Sequence, residues 1–352
     1  MPLDQIAWIA SDPPRVMSTV LVTGATGFIG REVVRRLASA GHGVLGLTRR
    51  PERTDTLRAL GATIVVGDLL RPGAWLERAA TADAVVHLAQ PLTFGGRVTL
   101  ERAEAYRNDR LEMDANLLDA ARSARRIVYV AGTSYYGDAG RTTVDEDVAP
   151  RPRGWGPYIA PAIERVSREA ARGRPIVMAF PGYVYGDGSW FREYVLRPLR
   201  SGTPLYVLTG RSHTASPVHI ADCARALVHL LEHGVVGARY FVVDDEPQPW
   251  STFYSRAAKA AGVPLRVRAL PPRVLRWLVG PVVTDSLTCD AAFSNARLRR
   301  LGFDFEMPTT ATGIPDVVRN ARPTARLPPT SRLLWTQARK LFRGLIRRSD
   351  EA

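Results

Sequence analysis

Apolar positions along this chain come in short, repeated runs. TVLVT at residues 19–23, GVLGLT at 43–48, ATIVVGDL at 62–69, ADAVVHLAQ at 82–90 and RRIVYVAGTS at 125–134 each hold a nearly continuous apolar stretch of strand length. Strands apolar on both faces belong inside a parallel sheet. Between them the period changes. REVVRRLASAGH sets Val33, Val34, Leu37 and Ala38 at helical spacing and stops at Gly41. A short helix is expected around Asp55–Leu60, another in AWLERAA, and a long one over 100–124 with Leu111, Ala115, Leu118 and Ala121 on one side. The alternation predicts an α/β fold: a Rossmann-type, doubly wound parallel sheet with helices on both faces.

Beyond about residue 180 Pro and Gly rise and the elements shorten. PIVMAFPGYVYG and ARYFVVDDE are further strands, and SPVHIADCARALVHLLE runs from a strand edge into a helix. Residues 1–17 form an N-terminal extension, 18–180 the Rossmann domain (completed by parts of 215–245), 181–322 a smaller α/β substrate lobe, and 323–352 a basic amphipathic tail.

The first strand runs into Thr23-Gly24-Ala25-Thr26-Gly27-Phe28-Ile29-Gly30 and then a helix. Gly24 permits the tight turn, Gly27 lets a pyrophosphate approach the backbone, and Gly30 lets helix and sheet pack closely. The helix start supplies free N–H groups for an anion. At the end of the second strand Thr48-Arg49-Arg50 precedes any acid, the first being Glu52. A carboxylate there suits a ribose 2′-hydroxyl and arginines suit a 2′-phosphate, so the expected cofactor is NADP rather than NAD.

TGATGFIG resembles the signature of the extended short-chain dehydrogenase/reductase group, with its NAD-dependent epimerases and dehydratases and its dihydroflavonol-type reductases. GDL at 67–69, ADAVVHLA at 82–89, NLLDAAR at 116–122, YYGD at 135–138, PGYVYG at 181–186 and SPVHIAD at 216–222 extend the resemblance over roughly residues 18–318. It implies that Asp68 and Leu69 lie beside the adenine and Ala89 near the nicotinamide-side ribose. It also implies a homodimer, sealed by the long helix of 100–124 and the helix after Tyr158.

The resemblance further implies a catalytic Ser or Thr, a Tyr, and a Lys four residues after the Tyr. Tyr158 fits the Tyr position, with Thr133 and Ser134 as the candidate hydroxyls, because Gly132 stands where the Ser is expected. Ala162 holds the Lys position, and Phe180 stands where an Arg is common. No lysine occurs before Lys259, so no shift of alignment restores the pair. A free phenol has a pKa of about 10 and needs a fixed cation to act as a base near neutrality. Neutral Tyr158 remains an acid, which favours reduction over oxidation.

Composition adds little that changes this picture. The net charge is +14, but no aromatic-basic surface or nucleic-acid motif accompanies it, so no nucleic-acid partner is expected. Cys223 and Cys289 stand alone, which predicts a reduced, cytoplasmic protein without a metal site. Tyr183, Tyr185, Trp190, Phe191 and Tyr194 suggest an aromatic wall for an apolar substrate. After the Pro-rich PTARLPPT, Leu334, Ala338, Leu341, Phe342 and Leu345 fall at helical spacing among arginines, a helix that docks on the body or lies peripherally on a membrane. Three functions remain open: reduction of a carbonyl or activated alkene in a small apolar metabolite; non-redox isomerisation, cyclisation or dehydration; and NADP-binding regulation without catalysis.

Overall fold

A computed structural model describes residues 18–91 and 97–321. Seven strands form its central sheet: β1 (Thr19–Thr23), β2 (Gly43–Thr48), β3 (Thr63–Val66), β4 (Ala84–His87), β5 (Arg126–Val130), β6 (Ile176–Pro181) and β7 (Arg239–Val242). All adjacent pairs are parallel, in the order β3-β2-β1-β4-β5-β6-β7. The winding reverses between β1 and β4. The carboxyl ends of those two strands therefore border a crevice, the place where such sheets hold ligands.

Strand alternation divides the core in two. Val20 and Val22 face one layer with Val33, Leu37, Leu227 and Leu230, while Leu21 faces the other with Trp75, Leu117 and Ile163. The first layer is covered by α1 (Phe28–Ser39) and α4 (Ile220–His233), the second by α2 (Leu100–Ala120) and α3 (Gly156–Ala171).

The buried face of α2 matches the apolar stripe expected from the sequence in part. Leu118 and Ala121 are buried as expected, Leu111 and Ala115 are only half-buried, and Ala103, Tyr106, Arg110, Met113, Asp114 and Leu117 also point inward. Arg110 and Asp114 tolerate burial because each neutralises the other, and that rotates the helix away from its purely apolar side.

The second lobe is built from short pairs. Tyr183–Tyr185 runs beside Pro217–His219, and Leu205–Leu208 beside Val267–Leu270. Of the expected aromatic wall, Tyr185 and Phe191 are fully buried against Phe253 and serve as lobe core. Trp190 meets Tyr183 and Trp250 edge to face, and Tyr194 is exposed. No helix among the described residues is long and apolar enough to cross a membrane. The basic tail lies outside the described residues.

Candidate active site

The glycine bend is shaped by what its glycines leave out. Gly24 has φ of +68°, and a Cβ on it would lie 2.9 Å from the Ala89 amide nitrogen. A Cβ on Gly30 would come within 2.9 Å of Ala25 Cα. The Gly27 N–H donates to Gly24 O at 2.9 Å, closing the turn. α1 starts at Phe28 with no side-chain cap on Gly27 and no acid in its first turn. Among the described residues its leading N–H groups thus meet no side-chain cap, and they border the crevice. Ile29 anchors the turn against the core, and Phe28 leans toward Gly186 of the second lobe. This donor set suits a dinucleotide diphosphate.

The remaining cofactor-side residues gather along the same edge. Thr26 Oγ1 meets Thr48 Oγ1 at 3.1 Å, and Thr48 Oγ1 accepts from the Arg50 N–H at 3.0 Å. The end of β2 is thereby tied to the glycine bend. Arg49 and Arg50 are exposed, with Arg49 Nη1 3.9 Å from Asp68 Oδ2. Asn116 Nδ2 donates to Leu69 O at 2.7 Å, which holds the Asp68–Leu69 turn against α2.

Behind the crevice lies a buried polar network that the sequence reading did not single out. Thr23 Oγ1 is 2.7 Å from His87 Nδ1 and accepts from the Leu88 and Ala89 N–H groups. His87 Nε2 is 2.8 Å from Asp114 Oδ1, and the Tyr129 hydroxyl donates to Asp114 Oδ2 at 2.6 Å. Arg110 pairs with Asp114 at 2.8 Å and donates to the carbonyls of Ala89 and Val130 at 3.1 and 3.3 Å. Burial pulls the Asp114 pKa upward, but Arg110, His87 and Tyr129 together hold it below the ordinary value. Burial lowers the pKa of His87, so its ring is neutral near pH 7. One proton arrangement satisfies Thr23, His87 and Asp114: Thr23 O–H donates to Nδ1, and Nε2–H donates to the carboxylate. The network fixes the loops after β4 and β5, which carry Ala89 and Gly132. Its sequence signals were faint: a His ending an apolar strand, and an Arg and Asp four apart on a helix.

The start of α3 is stripped where proton transfer would be expected. A Cβ on Gly156 would lie 2.7 Å from Ser134 O, so Gly156 faces the loop holding Thr133 and Ser134. Ala160, one turn on, shares that face and belongs to the core. Tyr158 stands about 200° around the helix from Gly156. It packs with Trp155, Val98, Ala103 and Val282 and borders a cleft of about 210 Å³ alongside Leu100 and Arg276. The structure therefore brings Thr133 and Ser134 to Gly156, and sets Tyr158 on another flank. Ala162 is 1% exposed, so the expected lysine position is filled by core. Phe180 is likewise buried, packed on Tyr135, Tyr136 and Phe241.

Residues 20–243 match the NAD dependent epimerase/dehydratase family. The chain belongs to that family. Among curated relatives it is 31% identical to a Streptomyces 3-diazoavenalumate denitrifying reductase, over 84% of this chain and 98% of the relative. It is 28% identical to the Stigmatella aurantiaca 4-hydroxy-2-methyl-3-oxo-4-farnesyl-3,4-dihydroquinoline-1-oxide ketoreductase, over 72% and 77%. Among solved structures, a human epimerase family protein crystallised with NADPH superposes with a TM-score of 0.70 at 24% identity, covering 86% of this chain and 99% of that one. Family and fold are thus the ones implied by TGATGFIG and the motifs that follow it.

Proposed function

We propose that this protein is an NADPH-dependent reductase that delivers hydride to an electrophilic carbon of a small apolar metabolite, without a protein Tyr–Lys relay. The observation that carries this reading is the face of α3 that meets Ser134: it presents Gly156 and Ala160, which have no proton to give. The glycine bend and the uncapped start of α1 meanwhile keep their fit for a dinucleotide. Both curated relatives named above are reductases, which supports an oxidoreductase. When bound, the reduced nicotinamide supplies the hydride.

The chain's own residues hold and orient. Gly24, Thr26, Gly27, Phe28, Ile29 and Gly30 cradle the diphosphate, Arg49 and Arg50 meet a 2′-phosphate, and Asp68 and Leu69 border the adenine. Ala89, held by Thr23 and Arg110, borders the nicotinamide-side ribose. Acceptors that suit a site without a phenol–ammonium pair carry their own charge sink. Hydride addition to a conjugated alkene leaves an enolate that takes its proton from water. An aryl diazonium carbon gains hydride as the C–N bond breaks and dinitrogen leaves with that bonding pair, so no proton is required. A simple ketone would still need an acid, and Tyr158, Thr133 or Ser134 would be the group asked to serve.

The test is NADPH consumption with a panel of conjugated enones, aryl diazonium salts and simple ketones, with product mass measured. Turnover restricted to the first two classes is expected. Turnover of simple ketones that disappears in Tyr158→Phe would assign Tyr158 as the acid and overturn the reading. So would substrate conversion that leaves NADPH unconsumed, because it would mark isomerase or dehydratase chemistry.

A further inference from the structure

A basic, apolar face stands out on the second lobe, away from the glycine bend. The stretch LRVRALPPRVLRWLV, residues 265–279, carries four basic side chains, Arg266, Arg268, Arg273 and Arg276, and no acid. Of these, Arg276 pairs with Asp285 at 2.7 Å. The strand of this stretch, Val267–Leu270, leaves Val267 52% exposed, and the neighbouring strand leaves Tyr206 36% exposed. The helix that follows, Pro272–Val279, buries none of its residues. Arg273, Arg276 and Trp277 lie one turn apart on its outer side, and Trp277 is 54% exposed. The opposite side, with Val274, Leu275 and Leu278, is only half-buried.

A soluble surface gains nothing from an exposed Trp and Val set among arginines. An anionic bilayer satisfies both halves of the pattern. The indole and aliphatic groups enter the headgroup boundary, and the guanidinium groups meet lipid phosphates. Charge argues against the other occupants. The chain's own tail carries eight basic residues and two acids over residues 321–352, so it is repelled from this face. A second copy would set arginine against arginine.

We infer that the face formed by residues 265–279 docks on an anionic lipid surface. The same helix supplies Arg276 to the cleft bordered by Tyr158, so docking places that cleft at the bilayer boundary, within reach of an apolar molecule leaving the membrane. This inference does not depend on the reductase reading, since it concerns where the protein sits and not what it transfers.

The test uses the full chain and phosphatidylcholine vesicles with and without phosphatidylglycerol, read by co-sedimentation. The intact protein is expected to bind the anionic vesicles at least about tenfold more tightly than the neutral ones. Val267→Glu/Trp277→Glu, with the tail untouched and folding checked by circular dichroism, is expected to fall to background. Arg266→Glu/Arg273→Glu is expected to lose the dependence on phosphatidylglycerol. Undiminished binding by the first double variant would assign binding to the tail and overturn the inference, as would absence of vesicle binding by the intact chain. A dimer in sedimentation velocity that the first double variant dissociates, without vesicle binding, would assign the face to a second copy and overturn it as well.

Discussion

Missing side chains do opposite things at the two ends of this crevice. At Gly24 and Gly30 the absent Cβ makes room, because any substituent would meet Ala89 or Ala25 backbone. Those glycines build a site. Gly156 and Ala160, on the face of α3 that meets Ser134, carry no side chain that could move a proton, and Ser134 O and the core occupy the space. On the function proposed above, the same fold keeps its binding half and works without the acid–base half. Binding a dinucleotide requires backbone geometry, which the strand–turn–helix unit imposes locally. Proton transfer requires two particular side chains one helical turn apart, and nothing in the fold demands them.

The contrast can be broken first at the network that supports the binding half. Arg110→Ala leaves Asp114 buried without its cation and two carbonyls without donors. It should cost about 3–5 kcal/mol of stability, measured by urea unfolding. Next, Gly24→Val forces a branched side chain into positive φ against Ala89. Nucleotide affinity, read by calorimetry, should fall at least about a hundredfold.

A smaller effect separates the sheet edge from the site. Burial pushes the Asp244 carboxyl up to about 9, and its Oδ2 finds no hydrogen-bond partner among the described residues. An unfolded Asp titrates at about 3.9, so the folded state binds the extra proton between those values and its stability declines as pH rises through that window. Asp244→Asn mimics the protonated form. It should stabilise the protein by about 1–3 kcal/mol at pH 8 and leave it unchanged at pH 4, read from thermal melts. Smaller still, Arg49→Ser/Arg50→Ser should weaken NADPH about tenfold and leave NADH as it was, by fluorescence titration.

The sequence made the cradle legible because its information is local: the run from Thr19 to Gly30 contains the strand, the bend and the helix start together. Doubly wound topology followed from strand length and alternation for the same reason. The Thr23–His87–Asp114–Tyr129 network was invisible because its members come from three strands and a helix and converge only after the sheet assembles. Asp114 and Arg110 also contradicted the usual rule that an inward helix face is apolar. The position of Tyr158 depended on helix phase. The family pattern places a phenol near the start of α3, but whether it faces Ser134 or Val282 turns on a two-residue rotation that composition does not reveal. The aromatic residues of 183–194 looked like a ligand wall, whereas Tyr185 and Phe191 close the lobe core.

The central claim is that hydride passes to substrate here without Tyr158 as proton donor. The direct measurement is deuterium transfer from reduced nicotinamide carrying deuterium at C4, followed by mass spectrometry of the product, in the intact protein and in Tyr158→Phe. The account predicts one deuterium per product and a rate changed by less than about threefold, where loss of a working general acid would cost 10²–10⁴-fold. A product free of deuterium, or a rate collapse in Tyr158→Phe, would contradict it.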